Sequence, residues 1–383
     1  MDLEKTVELA EKISALLEKH AGDAWPGFRP YPFVLYDKIA QVAVGEGFPA
    51  RFSKLRGNIW TATGEEPDFF GNTSIEYNGQ LTAIWDVTTW AFDAKISAHA
   101  SCIGHEMFHC FQSGFAKKNV GNIMQAATYP HSALSILLTI KENKLLAEAI
   151  ECNDKQRVAS CARQIAALRR QRAKLLQEHM GVDDLDETYE GTAAYVEIRL
   201  AAAIDGTGPQ LALKKYVDFL HDYGNLPDKY RHRCYASGLA LCLIADMLCP
   251  NWHEEWARSP LPIFGMIASI PGLDDASGEY EPTAAEIDEA EAIAQKSSDD
   301  KTRKFSDFLR QPTVSFDKEI SQGMLDPMNI VVMDGRCLHE RGGEVTISGK
   351  RHALNFPYMT EFGQHLWDVC RIIVPRDNPL GLT

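Results

Sequence analysis

The chemistry in this chain is concentrated in the run Ser101–Gln112, where His105 and His109 stand four residues apart and Glu106 follows the first of them. On a helix, residues four apart lie on one face, one turn above each other. His105 and His109 can then offer two imidazole nitrogens to one tetrahedral Zn²⁺. Glu106 projects to one side of the pair, within reach of a water on the ion. The ion lowers the pKa of that water and the carboxylate takes its proton. The positions around the motif support a helix. Ile96, Ala100, Ile103, Met107, Phe111 and Phe115 recur at helical spacing, the pattern of a buried amphipathic helix. The same residues also fit a plainer arrangement, two core histidines in hydrogen bonds and Glu106 in an ion pair.

A catalytic zinc needs a third protein ligand and leaves its fourth position to water. The stretch Glu187-Thr188-Tyr189-Glu190-Gly191-Thr192-Ala193-Ala194-Tyr195-Val196-Glu197 reads as a helix with small residues around one carboxylate. Glu187 and Glu190 are three apart, so both can lie on one face. Glu190 is favoured because Gly191, Ala193 and Ala194 follow it, and small residues let two helices close over an ion. Glu187, beside Thr188 and Tyr189, then supports a ligand histidine from behind.

Together, His105-Glu106-Met107-Phe108-His109 and the later Glu190-Gly191-Thr192-Ala193-Ala194-Tyr195 resemble a zincin metallopeptidase of the gluzincin type. The resemblance covers residues 30–250 and is firmer over the first motif. It implies zinc held by His105, His109 and Glu190, with Glu106 as general base and then proton donor. It also implies a Tyr or His opposite the ion as an oxyanion donor. Tyr235 and then His232, in Tyr230–Gly238, follow the third ligand in the order such a donor requires. One position departs. Many thermolysin-like members carry Asp four residues after the ligand Glu, to orient a histidine, and here Ala194 stands there. The further histidine pattern of metzincins is missing, since Cys110-Phe111-Gln112 follows His109.

Composition limits the alternatives. The chain has 383 residues, 45% apolar, enough for a large core or two domains. A net charge of −14 argues against nucleic acid, which requires a basic footprint. Nine scattered cysteines without a CxxC pair read as reduced thiols in a cytoplasmic protein. The charged start Met1–Thr6 has no apolar core of a secretory signal. The apolar run Leu239–Leu248 is too short to span a bilayer, so no membrane is expected.

The elements that must position these residues follow from pattern. Leu3, Val7, Ala10, Ile13, Leu16 and Leu17 mark a first helix ending near Gly22. Residues 50–95 look β-rich, with an Asn78-Gly79 hairpin turn between Ser74–Tyr77 and Gln80–Trp85. An edge strand of that sheet could pair with an extended peptide. Helices are expected over His131–Ile150 and Lys155–Met180, then to Ala203, over Gln210–Tyr223, and from Tyr230 to Pro250. Arg163, Arg169, Arg170 and Arg172 could pair with Glu142 or Glu148 across the first two, or form a solvated face. Residues 272–312 read as an acidic linker with a surface helix. Residues 313–374 return to five strands: Val314–Phe316, Asn329–Met333, Glu344–Ile347, Arg351–Phe356 and Leu366–Val374.

The expected fold is therefore α+β. It has a zincin-like core over 1–260, mainly helical after an N-terminal sheet. An acidic helical linker covers 261–312, and a β-rich unit covers 313–383. The expected function is zinc-dependent hydrolysis of a peptide bond in a peptide or protein substrate. The alternatives are an inactive peptidase-like protein that binds zinc or a protein partner, and a helical scaffold without metal. Retention of Glu106 argues against the former, because a structural site has no use for a base.

Overall fold

The computed structural model describes residues 2–90, 94–115, 123–258, 261–273 and 278–378. Helix α1 (Leu3–Ala24) is capped by Asp2 and buries Val7, Ala10, Ile13 and Leu17. Six strands follow: β1 (Phe33–Tyr36), β2 (Ala40–Val44), β3 (Ser53–Arg56), β4 (Ile59–Thr63), β5 (Thr73–Tyr77) and β6 (Gln80–Asp86). They form one sheet in the order β3-β4-β2-β1-β6-β5. Only β1 and β6 pair in parallel. The β5–β6 hairpin turns at Asn78 and Gly79, whose φ angles of 49° and 77° suit a two-residue hairpin loop. Alternation along the strands serves two cores. Phe33, Leu35, Val42 and Val44 face the helices, while Val34, Tyr36 and Ala43 pack with Phe48, Phe52 and Phe69.

Helix α2 (Ile96–Gln112) lies against this sheet and against α1. Then come α3 (Ile123–Ala127), α4 (Ala133–Glu151), α5 (Lys155–Leu176), α6 (Met180–Asp205), α7 (Gln210–His221), α8 (Tyr230–Leu248), α9 (Trp252–Arg258) and α10 (Ile263–Ala268). Asp154 caps α5, and Gly206 ends α6 in the left-handed conformation at φ 64°. Helix α6 is central, packing on α1, α2 and α8. Ile263, Met266, Ile267 and Leu273 belong to the same core, so its packing extends beyond residue 260.

Helix α11 (Ala284–Arg310) opens with a capping box of Thr283 and Glu286. It does more than cover a surface. Glu286 pairs with Lys141 of α4 at 2.5 Å, and Phe305 and Phe308 enter the C-terminal core. Of the acidic stretch before it, Asp274 and Asp275 lie outside the described residues.

Eight strands make the C-terminal unit: β7 (Thr313–Phe316), β8 (Ile320–Leu325), β9 (Ile330–Met333), β10 (Arg336–His339), β11 (Gly343–Ile347), β12 (Lys350–Leu354), β13 (Tyr358–Phe362) and β14 (Val369–Pro375). They form a five-stranded sheet, β7-β14-β13-β10-β9, and a three-stranded sheet, β12-β11-β8. Val345 and Ile347 of one meet Tyr358, Ile372 and Val374 of the other. The five expected strands are present. The three added ones, β8, β10 and β13, carry Gly323, Arg336 and Glu361 and so lack a clean apolar alternation.

The protein is thus α+β, with an N-terminal sheet, a helical middle and C-terminal sheets. No single helix among the described residues is long and apolar enough to cross a membrane.

Candidate metal centre

His105 and His109 come from α2 and Glu190 from the middle of α6. Close approach of these helices begins beside the motif. A Cβ on Gly104 would overlap the end of the Leu200 side chain of α6, so a larger residue one position before the first histidine would make that leucine shift. Gly191, next to Glu190, has a different neighbour from the one expected. It meets the backbone of Gly238 and so seats α6 against α8 rather than against α2.

The Nε2 atoms of His105 and His109 lie 3.4 and 3.3 Å from Glu190 Oε2. All three side chains are buried, and their ligand atoms fall within 4.8 Å of one another. Glu190 Oε2 has no hydrogen-bond partner. Buried polar atoms are rarely left unpaired, and a cation between these three atoms would satisfy this one. Two imidazoles and one carboxylate are a donor set that suits zinc with one open position.

The far side of each imidazole is also occupied. His109 Nδ1 lies 2.7 Å from Gln112 Oε1. The Gln112 amide donates to Tyr189 O at 2.9 Å and to Thr192 Oγ1 at 2.6 Å. With its amide nitrogen so engaged, Gln112 turns its oxygen to His109 and accepts the Nδ1 proton. The Nε2 lone pair is then left for an ion. Tyr189 stacks on His109, ring centroids 4.1 Å apart. On His105, Nδ1 faces Glu197 Oε2 at 3.3 Å. Glu197 also accepts from Lys215 at 3.0 Å and from Tyr216 at 2.9 Å. Burial would raise the Glu197 carboxyl, but His105 and Lys215 hold it down at about 2. Burial would lower His105, yet Glu190 and Glu197 raise it to about 10. Burial likewise opposes the charge on Glu190, and His109, His105 and Arg231 hold its carboxyl well below the usual range.

Beside His105 is a cavity of about 280 Å³. Glu106, Tyr235 and His232 all line it, with Trp85, Lys215 and Met328. Burial raises the Glu106 carboxyl. Tyr235 stacks on His105 with centroids 5.8 Å apart and planes 9° apart. Burial and Glu190 push its phenol far above the ordinary value, so it stays a proton donor. Burial, with Lys229, Arg231 and Lys215 nearby, lowers His232 and keeps it neutral at physiological pH.

Glu187 is not part of this group. It is fully buried and accepts from Arg169 at 2.7 Å, Arg233 at 2.6 Å and Ser237 at 2.6 Å. The support expected from it comes from Glu197 and Gln112. Glu197 had a readable signal, since seven residues separate it from Glu190 and two helical turns return to the same face. Gln112, three residues after His109, had a similar one. Arg231, which donates to Glu190 Oε1 at 2.7 Å, had none, because α8 is remote in sequence.

The chain matches no family model, no curated protein and no solved structure.

Proposed function

We propose that this protein is a zinc-dependent peptidase with a gluzincin-like site. The observation that carries the proposal is the meeting of His105 Nε2, His109 Nε2 and an unpartnered Glu190 Oε2 beside a cavity that contains Glu106. When bound, zinc lowers the pKa of a water and polarises a carbonyl. Glu106 takes the proton as the water oxygen bonds to the carbonyl carbon. It returns that proton to the departing amine as the C–N bond breaks. Tyr235 donates to the oxygen that gathers charge, with His232 a second donor on the same wall. Strand β5 is an edge of the first sheet and packs against α2, so an extended peptide adding to it would run past the cavity. The nine cysteines are all free, which supports a reducing compartment, and we assign the activity to the cytoplasm.

Elemental analysis combined with peptide-library digestion tests this. One zinc per chain is expected, lost in His105→Ala and His109→Ala. Glu106→Gln should retain zinc and abolish cleavage. Zinc without cleavage in the unaltered protein would leave an inert metal protein that binds a partner. Absence of zinc, even when it is supplied, would end the metal reading.

A further inference from the structure

The two oxygens of Glu190 have different neighbours. Oε2 faces both imidazoles and has no hydrogen bond, whereas Oε1 accepts from Arg231 Nη2 at 2.7 Å. We infer that Arg231 is a positioning residue that makes Glu190 a one-oxygen ligand and thereby keeps a position on the ion open. This rests on the zinc reading above.

The guanidinium is itself held in place. Asp186 Oδ2 stands 3.7 Å from Arg231 Nη1, and Asp186 is 3% exposed. Asp186 and Glu190 are four apart on α6, so they share a face. Arg231 and Tyr235 are four apart on α8 and share the facing one. The Tyr235 hydroxyl interacts with both Glu190 and Arg231. Two residues of one helix thus interleave with two of the other. The backbone contact of Gly191 with Gly238 brings the helices close enough for this. At the start of α8, Arg233 anchors the same helix, donating to Glu187 and to Glu142 at 2.6 Å each.

A carboxylate with both oxygens free can chelate a metal through both. Two imidazoles, a chelating carboxylate and a water would make the ion five-coordinate and crowd the place that substrate needs. Arg231 prevents this by occupying Oε1 with a charge-assisted bond. The sign of its effect on affinity separates this role from simple support. A positive charge on a ligand carboxylate weakens its donation and repels the ion. Removing a mere prop would loosen metal binding, whereas removing this clamp should not.

Cobalt(II) in place of zinc gives the test, because four-coordinate cobalt absorbs visible light far more strongly than five- or six-coordinate cobalt. The cobalt-loaded protein should show the intense band. Arg231→Met should lose it several-fold as Glu190 closes on the ion, while zinc affinity, measured by chelator competition, does not fall. Arg231→Lys can still donate one bond to Oε1 and should retain the band. Should Arg231→Met fail to fold, Asp186→Asn frees the guanidinium from its other side, and a partial loss of the band is expected. An intense band unchanged in both Arg231→Met and Asp186→Asn overturns the inference and leaves the zinc site standing. A weak band in the unaltered protein, or weakened zinc binding without a spectral change, also overturns it. If the unaltered protein takes up neither metal, the inference and the zinc reading fall together.

Discussion

Glu197 Oε2 lies 3.3 Å from His105 Nδ1, two helical turns beyond Glu190 on the same helix. One helix therefore carries a metal-ligand candidate and a carboxylate that faces a histidine of another. Ala194 stands where the gluzincin resemblance expects such a carboxylate. Glu197, three residues later and on the same face, is the carboxylate nearest that role. Partners of this kind fix the imidazole tautomer and raise its basicity. Glu197→Gln should therefore weaken zinc by roughly 10–100-fold. Competition with a chelator of known affinity measures this, and an unchanged affinity would remove Glu197 from the site.

The two carboxylates that compete for third ligand separate cleanly by environment. Glu190 faces the histidines, and Glu187 is enclosed by Arg169, Arg233 and Ser237. Glu190→Ala should abolish tight zinc binding with a modest effect on folding. Glu187→Ala should retain zinc but take one of the shared counter-charges from buried Arg169 and Arg233, at a cost of about 3–5 kcal/mol. Chelator competition and denaturant unfolding on the same two variants read both quantities. Zinc loss in Glu187→Ala and not in Glu190→Ala would reverse the assignment.

What the sequence disclosed follows the range of the forces involved. The α2 motif and the Asn78-Gly79 hairpin are set by neighbours within a few residues, and both were legible. The grouping of Glu190, rather than Glu187, with the two histidines was also legible, but partly for a reason the packing does not support. Gly191 serves the contact with Gly238, which joins helices about one domain element apart in ways no local pattern records. Arg231, Lys215 and the close pairing of Arg169 and Arg172 with Glu142 depend on which helices become neighbours. Periodicity in one segment carries no information about that choice. Strands β8, β10 and β13 escaped for a related reason, since their stability comes from ladders with partners rather than from their own alternation.

Tyr235 stacks on His105, lines the cavity and keeps its proton. Loss of a preplaced oxyanion donor costs on the order of 10²–10³ in kcat. Tyr235→Phe should show that loss with zinc retained and KM little changed, because the ring and its stacking survive. Steady-state kinetics on zinc-loaded protein decides it. An unchanged kcat would shift the role to His232, and His232→Ala is the comparison.

The last prediction concerns the buried charges that fix α8 relative to α4, α5 and α6. Glu142 is fully buried and accepts from Arg169 at 2.6 Å, Arg172 at 2.6 Å and Arg233 at 2.6 Å. Burial alone would raise its carboxyl, but Arg169, Arg233 and Arg172 hold it far below its ordinary 4.5. A carboxyl depressed in the folded state stabilises the fold fully above its unfolded pKa. That contribution is lost as pH falls through and below 4.5 toward the folded value. Glu142→Gln should cost about 3–5 kcal/mol at neutral pH, because three guanidinium groups lose a shared counter-charge. The gap between the unaltered protein and Glu142→Gln should then narrow as pH drops below 4.5, because the unfolded chain gains a proton at Glu142 that the Gln variant cannot take up. Denaturant midpoints across an acid series measure the gap. A gap that stayed constant with pH would mean that Glu142 contributes through shape and hydrogen bonding rather than through its charge.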